Sequence, residues 1–225
     1  MKERGIMFSG ESIRQIVAGR KTQTRRLSGL HRVNAAADEW EFLGGSPRYS
    51  DDFAVFRNKA EIKVISNPFV VDNLWCKEVY AVRTDTVPGT ALAKHYLLYK
   101  ADGGDLEMTW HEYRGWKSPM FMPRWASRLT LIPTVHSPER VNTISEDDAK
   151  AEGVTSLRGF AELWDSINAK PKPVRRDGTL SYYVSYPFDD VQEDSQHRGK
   201  PWYVRGNPWV FPISFKKNTE LGTYR

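Results

Sequence analysis

Gly19-Arg20-Lys21-Thr22-Gln23-Thr24-Arg25-Arg26 is the stretch from which the rest of the chain is read. A short amphipathic helix signal precedes it: Ser9 is placed to cap, and Ile13, Ile16 and Val17 share one face. Gly19 then stands in the stop position, where a left-handed conformation ends a helix at least steric expense. The lysine and the threonines therefore leave a helix end together and enter a β-prone segment. Strict alternation there puts Thr22 and Thr24 on one face and Lys21, Gln23 and Arg25 on the other, so a kink or loop is needed if Lys21 and Thr24 are to meet.

Charge is concentrated in the same region. Residues 1 to 33 carry eight Lys or Arg against Glu3 and Glu11, whereas the whole 225-residue chain is only +5. A cationic front end attracts phosphate-bearing or other anionic ligands, although a solvated basic face has the same composition.

The remaining composition bounds the possibilities. Hydrophobic residues make up 40% of the chain, and Phe, Tyr and Trp 12%, enough for a real core. The single cysteine, Cys76, excludes an internal disulfide. Neither a signal-type apolar stretch nor a membrane-length run is present, so the cytoplasm is the expected compartment and no membrane partner is expected. The five histidines are scattered without metal-ligand spacing, and no glycine-rich phosphate loop occurs; neither a metal nor a cofactor is expected.

Outward from the basic stretch, Gly5 to Phe8 reads as a short strand. Residues 28 to 59 are polar with few periodic features and read as a long insertion. Strands are expected at Ala60 to Ile65, at Leu74 to Val82, at His95 to Lys100 and along Leu129, Leu131 and Val135, with a loop over 83 to 94. Glu78 lies in the apolar row of Leu74, Cys76, Tyr80 and Val82, where a carboxylate either faces a cavity or pairs with an arginine.

Trp110 to Trp125 is aromatic and basic, and its Arg124-Trp125 step can stack on a base and hold a phosphate. Ser145 caps a brief helix ended by Gly153, which leaves Glu152 at the end where the helix dipole disfavours an acid. Phe160, Leu163, Trp164 and Ile167 give the strongest helical period, over Ser156 to Asn168. Residues 169 to 207 read as a second insertion, with Tyr182 to Tyr186 as one strand of a hairpin. The chain closes with Trp209, Phe211, Ile213 and Phe215 on one face of a strand, before a polar tail. A single α+β domain over 1–217 is expected, with a tail over 218–225. Its frame is a small mixed barrel with flanking helices.

The basic stretch resembles the Gly-Arg-Lys-Thr-x-Thr-x-Arg signature of the ASCH family. Leu74-Trp75, Met122 to Arg128, Ser145 to Val154, Phe160 to Asn168 and Asn207 to Lys216 resemble the longer ASCH proteins of bacteriophages and prophages. The chain departs from that pattern at Val71-Asp72-Asn73, where a Gly-Asp pair is usual, and at Cys76-Lys77. The resemblance implies a PUA-like β-barrel and an amidohydrolase acting on N(4)-acetylcytidine-type nucleosides. Carried over by motif, its catalytic residues are Lys21, Thr24 and Glu152. Substrate contacts are expected from Arg20, Arg25, Arg26, Trp75, Arg124 and Trp125. Two alternatives stand beside it: a module that binds single-stranded RNA or a modified nucleotide without chemistry, and a metal-independent ribonuclease.

Overall fold

The computed structural model describes residues 1–46, 50–86, 93–103, 115–168, 172–176, 179–184, 203–205 and 207–219. In chain order the strands and helices are β1 (Glu3–Met7), α1 (Gly10–Val17), β2 (Gln23–Arg26), α2 (His31–Asn34), β3 (Glu41–Ser46), β4 (Ser50–Arg57), β5 (Ile62–Ser66), β6 (Asn73–Lys77), β7 (Tyr80–Thr86) and β8 (Ala93–Tyr99). They continue with β9 (Thr130–Val135), β10 (Glu139–Arg140), α3 (Glu146–Ala151), α4 (Leu157–Asn168), β11 (Lys172–Arg176), β12 (Thr179–Val184), β13 (Tyr203–Arg205) and β14 (Trp209–Lys217). The fold is mixed α+β, mostly strands with few helices.

The chain forms two interleaved compact units, one of Met1–Arg20, Val71–Pro133 and Phe215–Arg225, the other of Lys21–Val70 and Thr134–Ser214. In the first, β1 pairs parallel with β6 and β6 antiparallel with β9. Gly5 in β1 is required by close approach, because a Cβ there would lie 2.8 Å from the Trp75 ring. Helix α1 starts as expected, with Ser9 Oγ accepting from the Ser12 N–H at 3.1 Å. It ends in a paired motif: the Arg20 N–H donates to the Gln15 carbonyl and the Gly19 N–H to the Ile16 carbonyl, with Gly19 at φ +75°. Ile13 and Ile16 are buried, but Val17 is half exposed and does not join their face.

The segment expected to be one strand from Leu74 to Val82 is two. β6 ends at Lys77, and β7 begins at Tyr80 and pairs with β8 as a hairpin, so residues 83–86 and 93–94 are strand rather than loop. Glu78 sits at the break, where its side chain leaves the apolar row and meets Arg128. Arg pairing, one of the two outcomes open in the sequence, is the one realised.

In the second unit β14 is central, flanked antiparallel by β2 and by β10. Val210, Phe211, Pro212 and Ile213 are all buried, so this strand is covered on both faces rather than one. One core cluster joins Val141, Ile144, Ala149, Phe160, Trp164 and Val210, which places Phe160 and Trp164 of α4 as its period predicts, whereas Ile167, expected on the same face, is exposed. Another joins Leu30, Val33, Trp40, Ala54, Phe56 and Phe211.

That second cluster corrects the expectation of little regular structure over 28–59. Residues 41–66 hold a three-stranded antiparallel sheet, β3-β4-β5, and Trp40, Ala54 and Phe56 are core. Its alternation is short, and a bulge in β3 breaks it between Phe42 and Gly44, which hides the period. In the later insertion, β12 pairs antiparallel with β11 as a hairpin and parallel with β13. Residues 185 and 186 of the expected strand lie outside the described residues, as do 110–114 of the aromatic passage and 220–225 of the tail.

Candidate functional site

Helix α3 carries the acid. Ser145 Oγ accepts from the Asp148 N–H at 3.1 Å and starts it. At its end the Gly153 N–H donates to the Lys150 carbonyl and the Val154 N–H to the Ala149 carbonyl, with Gly153 at φ +90°. Glu152 is therefore the residue closing the helix. Its own carbonyl and that of Ala151 point out of the helix end without partners inside it.

Residues 21 and 22, which leave α1 and precede β2, supply those partners. The Thr22 N–H donates to the Ala151 carbonyl at 2.8 Å. Lys21 Nζ donates to the Glu152 carbonyl at 2.7 Å and to Glu152 Oε2 at 2.6 Å. One ammonium thus caps the negative end of α3 and neutralises the acid that the helix dipole disfavours there. Both side chains are buried, Lys21 at 4% exposure and Glu152 at 5%. Lys21 lies before the strand proper, outside the alternation of β2.

Arg25 completes the cluster from β2. Its Nε donates to Glu139 Oε1 at 2.7 Å and its Nη1 to Gln23 Oε1 at 2.7 Å and to Glu152 Oε1 at 3.4 Å; Nη2 is ion-paired with Asp148 Oδ2 at 3.2 Å. The guanidinium also lies 5.8 Å from the Phe160 ring centroid. Its side chain is only 1% exposed and surrounded by carboxylates. The structure accordingly moves Arg25 from substrate contact, where the sequence places it, to holding Glu152.

These neighbours set the electrostatics. Burial pushes the Lys21 ammonium below its ordinary value, the Glu152 charge and hydrogen bond pull it back up, and the Arg26 and Arg25 charges push it down again; the net direction is down. For Asp148, burial pushes the carboxyl up, but the Ser145, Arg25 and Gln23 contacts outweigh it and hold the group below its usual range.

Thr24 is buried within β2, in register with Ile213, whereas Gln23 is in register with Ser214 and Arg25 with Pro212. By the pleat, Thr24 and Arg26 share the face opposite Gln23 and Arg25. Lys21 and Glu152 are thus brought into direct contact. Both side-chain hydrogen bonds of Lys21 run to Glu152 rather than to Thr24.

The other expected substrate contacts belong to the first unit. Arg20 is exposed and donates from Nε to Gln15 Oε1. Trp75 lies across Gly5 with the Lys77 ammonium 5.2 Å from its ring centroid. Arg124 is gripped by Glu3, Nε to Oε2 at 2.8 Å and Nη2 to Oε1 at 3.1 Å, a two-point pair that occupies the guanidinium expected to hold a phosphate. Trp125 is 62% exposed and so open to stacking.

Sequence reading passed over Glu139, Asp148 and Gln23, whose parts depend on β10, α3 and β2 meeting in space; of the three only Asp148 carried a signal, as one of the acids in the first turn of α3. Among the described residues no group of three His, Cys, Asp or Glu side chains is arranged to hold a metal ion. No helix among them is long and apolar enough to cross a membrane. No family model matches the chain, and no similar curated protein or solved structure was found.

Proposed function

We propose that the Lys21–Glu152 pair is the centre of an amidohydrolase that removes acyl groups from N(4)-acylated cytidine-type nucleosides, on a PUA-like small mixed β-barrel of the ASCH type acting in the cytoplasm. The observation that carries this reading is the buried lysine itself. Its ammonium is desolvated, beside two arginine charges, and held at 2.6 Å by a buried carboxylate. The desolvation and the arginine charges favour the neutral amine that a general base requires, and they outweigh the carboxylate, which favours the ammonium.

In this mechanism neutral Lys21 takes the Thr24 hydroxyl proton as Oγ1 attacks the acyl carbon, and returns it to the departing N4 amine. Water then repeats the attack on the acyl-threonine, with its proton passing through Lys21, and the carboxylic acid leaves. Glu152 orients the amine and balances the lysinium formed in each half-cycle. Arg26, whose charge acts on Lys21, shares the Thr24 face of β2 and is the side chain assigned to the oxyanion.

The discriminating variant is Lys21→Arg. Arginine keeps the cation that caps α3 but does not give up a proton near neutral pH. Release of cytidine from N(4)-acetylcytidine is expected in the wild type, falling by about 10²- to 10⁴-fold in Lys21→Arg and in Thr24→Ala. Hydrolysis that survives both substitutions removes the proposal.

Binding of single-stranded RNA without chemistry is the second reading. It draws on the exposed Met120, Phe121 and Trp125 side chains of the aromatic passage. Its mark is affinity for short oligonucleotides that weakens with salt and with Trp125→Ala.

A further inference from the structure

The Gln23 and Arg25 face of β2 carries a second arrangement that the Lys21 chemistry does not use. Ser214 Oγ and His136 Nε2 are 2.8 Å apart, and Gln23 Nε2 reaches the same Ser214 Oγ at 3.3 Å. Gln23 Oε1 is in turn 2.7 Å from Arg25 Nη1. His136 follows the end of β9, and its N–H donates to the Pro212 carbonyl at 3.1 Å, which fixes its backbone two positions from Ser214 along β14. The His136 side is open to solvent, and Ser214 is half-buried.

The direction of the chain follows from its charged end. A guanidinium only donates, so the Gln23 atom facing Arg25 is the carbonyl oxygen, and the amide NH₂ is turned toward Ser214. Ser214 Oγ thus accepts one hydrogen bond from Gln23, and in the tautomer that carries its hydrogen on Nδ1 the His136 ring accepts the Ser214 proton at Nε2. Arg25 polarises the Gln23 amide, so the donor facing Oγ is strengthened where an alkoxide would develop. A hydroxyl with a base within hydrogen-bond reach is the core of an activated nucleophile, and here the third group, Gln23, orients the hydroxyl.

We propose that Ser214 and His136 form a nucleophile–base pair that takes small acyl esters, independently of the Lys21 reading. As Oγ attacks the carbonyl carbon its proton passes to Nε2, and the carbonyl π electrons move to oxygen. Collapse of that adduct breaks the ester C–O bond, and the alcohol leaves with the proton from Nε2–H. Water then attacks the acyl-serine with Nε2 again taking the proton; the carboxylic acid departs and Ser214 regains its hydrogen.

The test is covalent. The full-length protein is treated with a fluorophosphonate probe and, separately, with p-nitrophenyl acetate, and the modified peptide is mapped by mass spectrometry. Modification of Ser214 is expected, abolished in Ser214→Ala and slowed by about 10²- to 10⁴-fold in His136→Gln. Gln23→Met, which removes the orienting amide, is expected to slow it by about tenfold. Circular dichroism establishes that each variant is folded. An unmodified Ser214 in folded protein, modification only at other residues, or a rate unchanged in His136→Gln overturns the proposal. Neither reagent is a nucleoside, so failure to cleave N(4)-acetylcytidine leaves this result unaffected.

Discussion

Each unit of the molecule buries a glutamate against a cation, and the two pairs are built for different ends. In the first unit Glu78, 1% exposed, accepts from Arg128 Nε at 2.9 Å and Nη2 at 3.0 Å, while Arg128 Nη1 donates to Asp102 at 2.8 Å. The guanidinium lies 4.1 Å from the centroid of the Tyr99 ring, and its affinity for protons is raised: burial opposes the charge, but the Glu78 and Asp102 contacts outweigh it. In the second unit Glu152 is held by a lysine whose proton affinity is lowered by burial. A two-point arginine fork keeps its charge under all ordinary conditions and clamps the break between β6 and β7. A lysine held at one carboxylate oxygen can lose its proton, and chemistry needs that freedom.

The sharpest way to break this contrast is to remove each acid's partnership and compare the losses. Glu78→Ala leaves Arg128 with Asp102 as its remaining carboxylate and is expected to lower unfolding stability by about 3 kcal/mol. Lys21→Met leaves Glu152 with Arg25 and is expected to lower it by about 2 kcal/mol. Urea unfolding at neutral pH measures both. A loss for Glu78→Ala below about 1 kcal/mol would mean that the arginine pair is no clamp.

A subtler difference lies in pH. The unfolded chain keeps the Lys21 proton up to its ordinary value of 10.5, whereas the folded chain releases it earlier. Between those points the unfolded state binds more protons, so stability rises with pH. The contribution is complete above the unfolded value and lost as pH falls through the folded one. Unfolding free energies of the wild type minus those of Lys21→Met should therefore climb through the alkaline range. The kcat/KM for N(4)-acetylcytidine should rise over the same window, with its limb below 10.5. A flat difference and a flat rate would give the lysine pair the same fixed charge as the arginine pair.

The smallest expected effect tests the cap that presents Glu152. Gly153 sits at φ +90°, a conformation that side-chain-bearing residues resist. Gly153→Ala is expected to lower stability by about 1 kcal/mol, read as a small fall in Tm by calorimetry. Activity should fall with it only if the position of the Glu152 carbonyl matters to Lys21.

Much of this was legible in the sequence. The cap at Ser9, the stop at Gly19, the aromatic face of α4 and the misplaced acids Glu78 and Glu152 follow from rules that act within a few residues. Of the sheet over 41–66 only β5 was legible, because β3 and β4 alternate briefly and a bulge in β3 breaks the register. Ser214 was passed over inside the apolar run Trp209 to Phe215, although a hydroxyl among such neighbours is itself a signal.

What the chain determines by itself is local: where helices start and stop, which residues break the pattern of their surroundings, and that positive charge gathers at the front. Which partner answers each misplaced charge was decided in three dimensions, 131 residues apart for Lys21 and Glu152 and 50 apart for Arg128 and Glu78. Coulombic and hydrogen-bond partners are selected by distance in space, and proximity in space is a property of the packed sheets rather than of sequence spacing.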